Sequence, residues 1–208
     1  MNSYDDEYKG CKTLFWGDRP AKYVQLFVEK KLLNLKGCRT LDIGAGEGKN
    51  AIYLAKNGAN VHCVDISKTA LDRLTGLPDY NTYKGRIKLS TEDARYFETN
   101  DVYDLIICYG LIHALNSREE ALNLIEKLQT ILKPSGYMII ATFNNLLPPP
   151  LVQEYLKMDA FLNPDELRTL FSEWKILEYE ESIITETHHT SKIEHQHSIS
   201  RLIAKKNA

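Results

Sequence analysis

The stretch LDIGAGEGKNAIYLA, residues 41–55, decides the fold of this chain. An apolar run typical of a buried strand leads into glycines at positions 44, 46 and 48, and apolar residues at helical spacing begin directly after them. Glycine adopts positive φ easily and lets the backbone approach a ligand, and we expect the amides at the helix start to be free to donate. The stretch predicts a strand, a ligand-contacting glycine turn and a helix.

The rest of the chain repeats this alternation of strands and helices. Further strand-like runs are ANVHCVDI from residue 59, RIKLSTED from 86, YDLIICYG from 103 and YMIIATF from 137, with helical patterns between most of them. One more helix is predicted over residues 20–33 and another from Asn163-Pro164. Such alternation favours a parallel sheet with helices on both faces.

The end of the chain departs from the alternation. Residues 174–184 and 197–205 are strand-like with only a polar loop between them, which predicts an antiparallel hairpin. The fold class is therefore α/β, a Rossmann-like seven-stranded sheet that is mostly parallel with a C-terminal antiparallel hairpin.

Composition narrows the function classes. A chain of 208 residues is predicted to form a single domain. Its net charge of -2, and the lack of any apolar run near the length that spans a bilayer, argue against nucleic-acid and membrane partners. The acidic, polar start and the four scattered cysteines favour a reducing compartment, the cytoplasm. We expect a monomer or homodimer.

The spacing of the glycines helps to choose the ligand. Asp65 ends the second strand, where a carboxylate can accept hydrogen bonds from ribose hydroxyls. A dinucleotide fold is expected to show GxGxxG, whereas this chain has GxGxG with Asp42 ahead of it. A nicotinamide-dependent oxidoreductase is therefore disfavoured and is kept as the alternative.

The segment DIGAGEG, with the acidic strand ends VDIS and TEDA and with LKPSGY before the fifth strand, resembles the class I S-adenosylmethionine-dependent methyltransferases. Within that class, GEGKNAIYLAKNGANVHCVDIS, FLNPDELRTLF and RLIAKK look most like the tellurite-resistance and thiopurine-type enzymes. The resemblance implies S-adenosyl-L-methionine as cofactor and S-adenosyl-L-homocysteine as product. It also implies an N-terminal helical cap over residues 1–36, a cofactor-binding core over 37–143 and an acceptor-side segment with the hairpin over 144–208.

The resemblance implies a role for each motif residue. The turn that packs against the methionine portion of the cofactor comprises Gly44, Ala45, Gly46 and Gly48. Asp42 orients this turn or meets the cofactor ammonium through water. Asp65 takes the ribose and Ile66 the adenine face. Asp93 and the amide of Ala94 bind the adenine edge, with Glu92 as the alternative acid if the register is off by one.

Two further pairs are expected around the cofactor. Cys108 and Tyr109, at the end of the fourth strand, are predicted to border the sulfonium and its methyl group. Trp16 and Arg19 in FWGDRP precede the first predicted helix and can close over the site, Arg19 reaching the cofactor carboxylate. The alternative, that Trp16 only packs against neighbouring residues and Arg19 only lies at the surface, stays open.

Methyl transfer from a sulfonium is an in-line displacement, so no covalent catalytic residue is required and the catalytic residues stay unassigned. The leading acceptor is a small molecule with a soft nucleophile, a thiol, selenol or tellurite-like species. Acceptor-side candidates are His113, which alternatively is a buried histidine bonded to backbone, together with Tyr109, His188 and His189. A non-catalytic S-adenosylmethionine-binding protein stays a further possibility.

The stretch THHTSKIEHQH contains four of the six histidines, including His195 and His197. It is predicted to lie on the cofactor side of the sheet, where it gates or deprotonates the acceptor, binds a metal or is only a solvated polar hairpin. No carboxylate or cysteine completes a recognisable metal constellation in the sequence, so no metal site is predicted. FNNLLPPPL, from Phe143, is expected to supply leucines as an apolar wall of the acceptor pocket.

Overall fold

The protein, in a computed structural model that describes residues 3–153, 156–187 and 193–208, is built around one seven-stranded sheet. The strand order is β3-β2-β1-β4-β5-β7-β6. The strands are β1 Arg39–Ile43, β2 Asn60–Asp65, β3 Ile87–Thr91, β4 Tyr103–Tyr109, β5 Leu132–Phe143, β6 Lys175–Thr187 and β7 Glu194–Lys205.

The pairing confirms the predicted fold class. Strand β1 pairs in parallel with β2 on one side and β4 on the other, and β3 and β5 extend the parallel sheet outward. Strand β7 runs antiparallel to both β5 and β6, which makes the terminal hairpin. Strands β2 and β3 extend the sheet to one side of β1, whereas β4 and β5 extend it to the other side. The strand order therefore reverses between β1 and β4, and ligands of such sheets bind beside the carboxyl ends of the strands at this switch point.

Helices cover both faces of the sheet. They are α1 Ser3–Gly10, α2 Lys22–Glu29, α3 Lys49–Lys56, α4 Lys68–Thr75, α5 Tyr80–Tyr83, α6 Arg118–Ile131 and α7 Glu166–Leu170. Helices α2, α3 and α4 bury apolar side chains against one face, and α6 and α7 bury theirs against the other. Helix α6 begins directly after Ser117, whose hydroxyl caps the helix by accepting from the Glu120 amide at 3.2 Å.

Helices α1, α2 and α7 differ from the sequence prediction. Helix α2 is shorter than residues 20–33, and α7 has five residues because it starts only after Asp165, whose φ is 60°. Helix α1 lies within the predicted N-terminal helical cap over residues 1–36, but no separate helix was predicted there, since its charged sequence carries no apolar stripe. Its buried Tyr8 belongs to a small cluster with Cys11, Phe15 and Ala70, so tertiary packing against α4 supports this helix.

No helix in the described ranges combines the length and the apolar character that crossing a bilayer requires.

Candidate active site

A cavity of about 590 Å³ opens at the carboxyl ends of the parallel strands, next to the switch point. Its size suits a nucleoside-sized ligand with a small partner. Most of the predicted site residues in the described part of the chain line it, namely Trp16, Gly44, Ala45, Gly46, Asp65, Ile66, Glu92, Asp93, Ala94, Tyr109 and His113. The motifs that are separate in the sequence therefore meet in one place.

Four of the predicted site residues within the described ranges are not part of the cavity lining. Asp42 and Cys108 are buried beneath it, Gly48 caps helix α3 and Arg19 is exposed. Side chains alternate along a strand, so Tyr109 faces the cavity while Cys108 packs in the core cluster that includes helix α6. The predicted contact of Cys108 with the sulfonium does not follow from its position.

The glycine turn has the conformation that its sequence predicted. Gly44, Gly46 and Gly48 have φ of 72°, 54° and 78°, in the left-handed region. Space is as restrictive as φ, because a Cβ at Gly48 would lie 2.1 Å from Leu74 Cδ1. The turn thus requires glycine both for its backbone and for its packing on α4.

Three amides of the turn are bonded to the end of β2, whereas the sequence-based expectation of free amides concerned the start of helix α3. Gly44 and Ala45 donate to the carbonyl of Val64 at 2.8 and 3.1 Å, and Gly46 donates to Asp65 Oδ2 at 2.7 Å. The turn is bonded to the end of β2 because the two strands end at the same edge of the sheet. What the glycines offer a ligand is space without side chains.

Asp65 is the link between the turn and β2. Its Oδ1 accepts from the Ser67 amide at 2.8 Å and its Oδ2 from Gly46. Burial raises the pKa of this carboxyl even though both bonds oppose the change. A carboxylate has about four lone-pair positions, so two bonds leave capacity for ribose hydroxyls.

Asp93 is engaged by a neighbour. The Arg95 guanidinium donates to both of its oxygens, at 3.0 Å to Oδ1 and 2.6 Å to Oδ2, and this bonding lowers the pKa of the Asp93 carboxyl. Glu92 beside it is exposed and also lines the cavity. The adenine contact of Asp93 stays a prediction, with Glu92 as its alternative.

Asp42 lies under the glycine turn with 1% of its surface exposed. Its Oδ2 has no hydrogen-bond partner among the described residues. Burial, together with the nearby charge of Asp65, raises the pKa of this carboxyl to about 7, and Lys49 opposes the rise. A ligand ammonium close to this carboxylate, directly or through water, would stabilise its charged form.

Glu47 is a site residue that the sequence analysis missed. It is 3% exposed, and its Oε2 accepts from the Phe15 amide at 2.7 Å while its Oε1 accepts from Arg73 at 2.9 Å. Lys49 donates to the Trp16 carbonyl at 3.1 Å. These bonds hold residues 15–17 over the turn, so this segment and α1 reach the cavity, whereas α2 packs on the sheet. The available signal was an acidic residue within the glycine motif itself.

The opposite end of the cavity is built from aromatic rings. His113 stacks on Phe143 with ring centroids 3.8 Å apart, and His197 stacks on the same phenyl ring at 3.9 Å. The Phe143 amide donates to His113 Nδ1 at 3.2 Å. A backbone N–H can only donate, so the His113 proton resides on Nε2. Burial lowers the pKa of this imidazole to about 3, which keeps it neutral.

The histidine-rich hairpin gives a mixed outcome. His188 and His189 lie outside the described residues, so their acceptor-side role stays a prediction. His195 and His197 lie on β7 and are 8% and 2% exposed. The prediction that no carboxylate lies close to these histidines is wrong, because Glu186 of β6 is opposite His195 in the strand register and lines the cavity. The sequence alone does not reveal this carboxylate, because it is the pairing register of β6 and β7 that brings Glu186 beside His195.

The predicted leucine wall is also wrong. Leu146 and Leu151 are 60% and 85% exposed. The apolar surface of the cavity comes instead from Phe143 and Ile199 at this end and from Leu111 and Leu115 after β4. The proline-rich segment turns outward as it leaves β5, so its leucines do not contact the cavity.

Comparisons with known proteins agree with this geometry. The family model "Tellurite resistance protein TehB" matches residues 25–199. The probable S-adenosyl-L-methionine-dependent methyltransferase TehB of Haemophilus influenzae is 27% identical over 150 residues, covering 70% of this chain and 49% of that protein. A ubiquinone biosynthesis O-methyltransferase of Rickettsia typhi is 28% identical over 170 residues, covering 74% of this chain and 67% of that protein.

The fold has solved counterparts. The crystal structure of TehB from Haemophilus influenzae superimposes with a TM-score of 0.73 at 20% identity, covering 88% of this chain and 62% of that one. At that identity the likeness concerns the fold alone. The chain spans about half to two thirds of the length of the curated relatives it matches.

Proposed function

This chain belongs to the tellurite resistance protein TehB family, and we propose that it transfers the methyl group of S-adenosyl-L-methionine to a small acceptor with a soft nucleophile: a thiol, a selenol or a tellurite-like oxyanion. The resemblance read from the sequence, with its methyltransferase class and its S-adenosyl-L-methionine cofactor, is confirmed by that membership. The observation that carries the proposal is one continuous cavity that runs from the glycine turn and Asp65 to Phe143 and Glu186.

The cofactor fits the first half of this cavity. Asp65 accepts from the ribose hydroxyls, Ile66 and Ala94 contact the adenine, and the glycine turn leaves room for the methionine portion. Asp42 beneath the turn favours the ammonium. Lys49 takes the place that Arg19 was predicted to fill, since it is the cation on α3 directly after the turn and it lines the cavity.

Positioning supplies the catalysis in this proposal. The methyl carbon on the sulfonium must face the acceptor atom in line, and apolar side chains at that end of the cavity reduce the water along that line. No thiol of the protein competes as a nucleophile, because all four cysteines are buried and burial raises the pKa of Cys63 and Cys108. The Phe143 and Ile199 side chains provide the apolar end.

The acceptor chemistry follows from the state of His113. A neutral ring with its proton on Nε2 donates a hydrogen bond and is a poor base, so the acceptor has to bring its own lone pair. Thiolates, selenolates and tellurite oxyanions do so near neutral pH. For a thiol that arrives protonated, Glu186 is a carboxylate on the Phe143 side of the cavity that can accept the proton.

The first test is calorimetric titration with S-adenosyl-L-homocysteine, with NADH as the parallel ligand. We expect S-adenosyl-L-homocysteine to bind and NADH not to bind. Binding of NADH alone would overturn the cofactor assignment and restore the oxidoreductase alternative.

The second test addresses the acceptor. Release of S-adenosyl-L-homocysteine is measured with a small alkyl thiol, with sodium tellurite and with a phenol of similar size. We expect turnover with the thiol or tellurite and at most weak turnover with the phenol. Turnover with the phenol alone would reject the soft acceptor while leaving the methyltransferase intact. Cofactor binding without turnover on any acceptor would favour the non-catalytic alternative.

A further inference from the structure

The terminal hairpin places one glutamate and two histidines side by side. Glu186 of β6 is opposite His195 of β7 in the register, and His197 follows two residues later on the same face. One ligand atom from each of the three lies within 4.8 Å of the other two, and Glu186 Oε2 is 3.9 Å from His197 Nε2. None of the functions described above requires this triad as a unit.

The contacts of both histidine rings are compatible with binding a metal ion. His195 Nδ1 lies 2.8 Å from the carbonyl of Ile193. A carbonyl only accepts, so the proton is on Nδ1 and the ring carries its lone pair on Nε2. Histidine ligands of metals are typically fixed in this way by a bond from their other nitrogen to a carbonyl. The stacking of His197 on Phe143 fixes the second ring.

We propose that Glu186, His195 and His197 bind a divalent first-row transition ion such as Zn²⁺, with an open coordination position toward the acceptor end of the cavity. Two imidazoles and a carboxylate are a donor set that Zn²⁺ uses where it keeps one position open. With bonds of about 2.0 to 2.1 Å, tetrahedral ligand atoms lie roughly 3.4 Å apart. The half-buried Glu186 side chain has three rotatable bonds with which to close that distance.

The surrounding charge selects among ions. The charges of Lys49 and Arg201 act on Glu186, and they disfavour any dication held by the carboxylate alone. The affinity must therefore come from the imidazoles, which Zn²⁺ accepts readily and Mg²⁺ does not. Since Glu186 lines the cavity, a thiolate or oxyanion acceptor can fill the open position. That role rests on the proposed function, whereas the binding of the ion does not.

The test is calorimetric titration of the full, metal-stripped chain with Zn²⁺ and, separately, with Mg²⁺, in the absence of cofactor and acceptor. We expect one equivalent of Zn²⁺ to bind and Mg²⁺ not to bind. Glu186→Gln should weaken Zn²⁺ binding at least about tenfold. Glu194→Gln, the same change at an exposed glutamate of the same hairpin, should leave it unchanged. Circular dichroism of each variant shows whether the fold is kept.

A second pair of variants assigns the histidines. His195→Ala should remove Zn²⁺ binding, and the double variant His188→Ala/His189→Ala should keep it. Co²⁺ used in place of Zn²⁺ should give the visible absorption bands of a four-coordinate ion in the wild type and in the double variant. Absence of Zn²⁺ binding in the wild type would overturn the proposal. So would equal Zn²⁺ affinity in Glu186→Gln and Glu194→Gln, or loss of binding in the double variant alone.

Discussion

The two ends of the cavity are built in different ways. The end that we propose for the cofactor is centred on consecutive elements, β1, the glycine turn, α3 and the end of β2, and its hydrogen bonds join residues such as Gly46 and Asp65. The end that we propose for the acceptor combines single side chains from after β4, from β5, and from both strands of the hairpin, and it depends on ring stacking around Phe143. Local backbone conformation can be inferred from a motif, whereas a stack of distant rings cannot.

If backbone geometry defines the proposed cofactor end, adding a methyl group to a glycine of the turn should cause the largest loss of stability. Gly48→Ala places a Cβ against Leu74 at a positive φ, and we expect a loss of roughly 2 to 5 kcal/mol in the free energy of unfolding. Urea denaturation followed by circular dichroism measures this loss. Gly85→Ala is the matched control, because nothing lies within 4 Å of that Cβ. Equal stability of the two variants would show that backbone geometry at Gly48 does not limit the fold.

Asp65→Ala should mainly weaken cofactor binding. Losing the bonds of a charged acceptor costs about 1.5 to 3 kcal/mol, which corresponds to roughly 10- to 150-fold in the dissociation constant of S-adenosyl-L-homocysteine. Calorimetric titration measures this dissociation constant. Asp72→Ala, on the exposed surface of α4, is the control. An unchanged dissociation constant for Asp65→Ala would mean that the ribose binds elsewhere.

The pH dependence of cofactor binding sharpens the role of Asp42. With the pKa of this carboxyl raised to about 7, a ligand ammonium that favours the carboxylate must displace a proton below that pH. Affinity for S-adenosyl-L-homocysteine should rise with pH up to about 7, by at most about tenfold per pH unit, and then level off. Asp42→Asn should remove this dependence. A slope that persists in Asp42→Asn would assign it to another group, such as Asp65.

The same shift affects stability without ligand. The Asp42 carboxyl in the unfolded chain has its ordinary pKa of 3.8 and is ionised above it, while in the folded chain it holds its proton up to about 7. Its contribution therefore favours folding most below pH 4 and is lost as the pH rises toward 7. The urea midpoint of Asp42→Asn should vary less across this window than that of the wild type.

The smallest effect is expected at the acceptor end. His113→Gln keeps an N–H donor but removes the ring that stacks on Phe143 and holds that donor in place. The hydrogen bond to the acceptor should weaken by about 1 kcal/mol, so turnover should fall about fivefold with the affinity for S-adenosyl-L-homocysteine unchanged. Steady-state kinetics and calorimetry together measure this split. His62→Gln is the control, a buried histidine bonded to Tyr103 and Ser90 outside the cavity. A loss of cofactor affinity in His113→Gln would mean that the two ends are not separate.

Sequence reasoning succeeded where residues act through their own backbone. The glycine turn, Asp65 at the end of β2 and the antiparallel hairpin were all predicted, because φ preference, strand ends and periodicity are local properties. It failed where contacts between distant residues decide. Helix α1, the anchoring Glu47, the outward Leu146 and the Glu186 carboxylate all depend on which elements pack together.

The sequence by itself determined the order of strands and helices, the conformation of the turn at Gly44, Gly46 and Gly48 and the family to which the chain belongs. Only the tertiary structure decided that the turn amides bond to β2, that His113 is a neutral donor and that Glu186 joins His195 and His197. The physical reason is the distance along the chain over which each effect acts. Steric limits on φ act within a residue, whereas burial, tautomer and register depend on neighbours that the chain brings close only on folding.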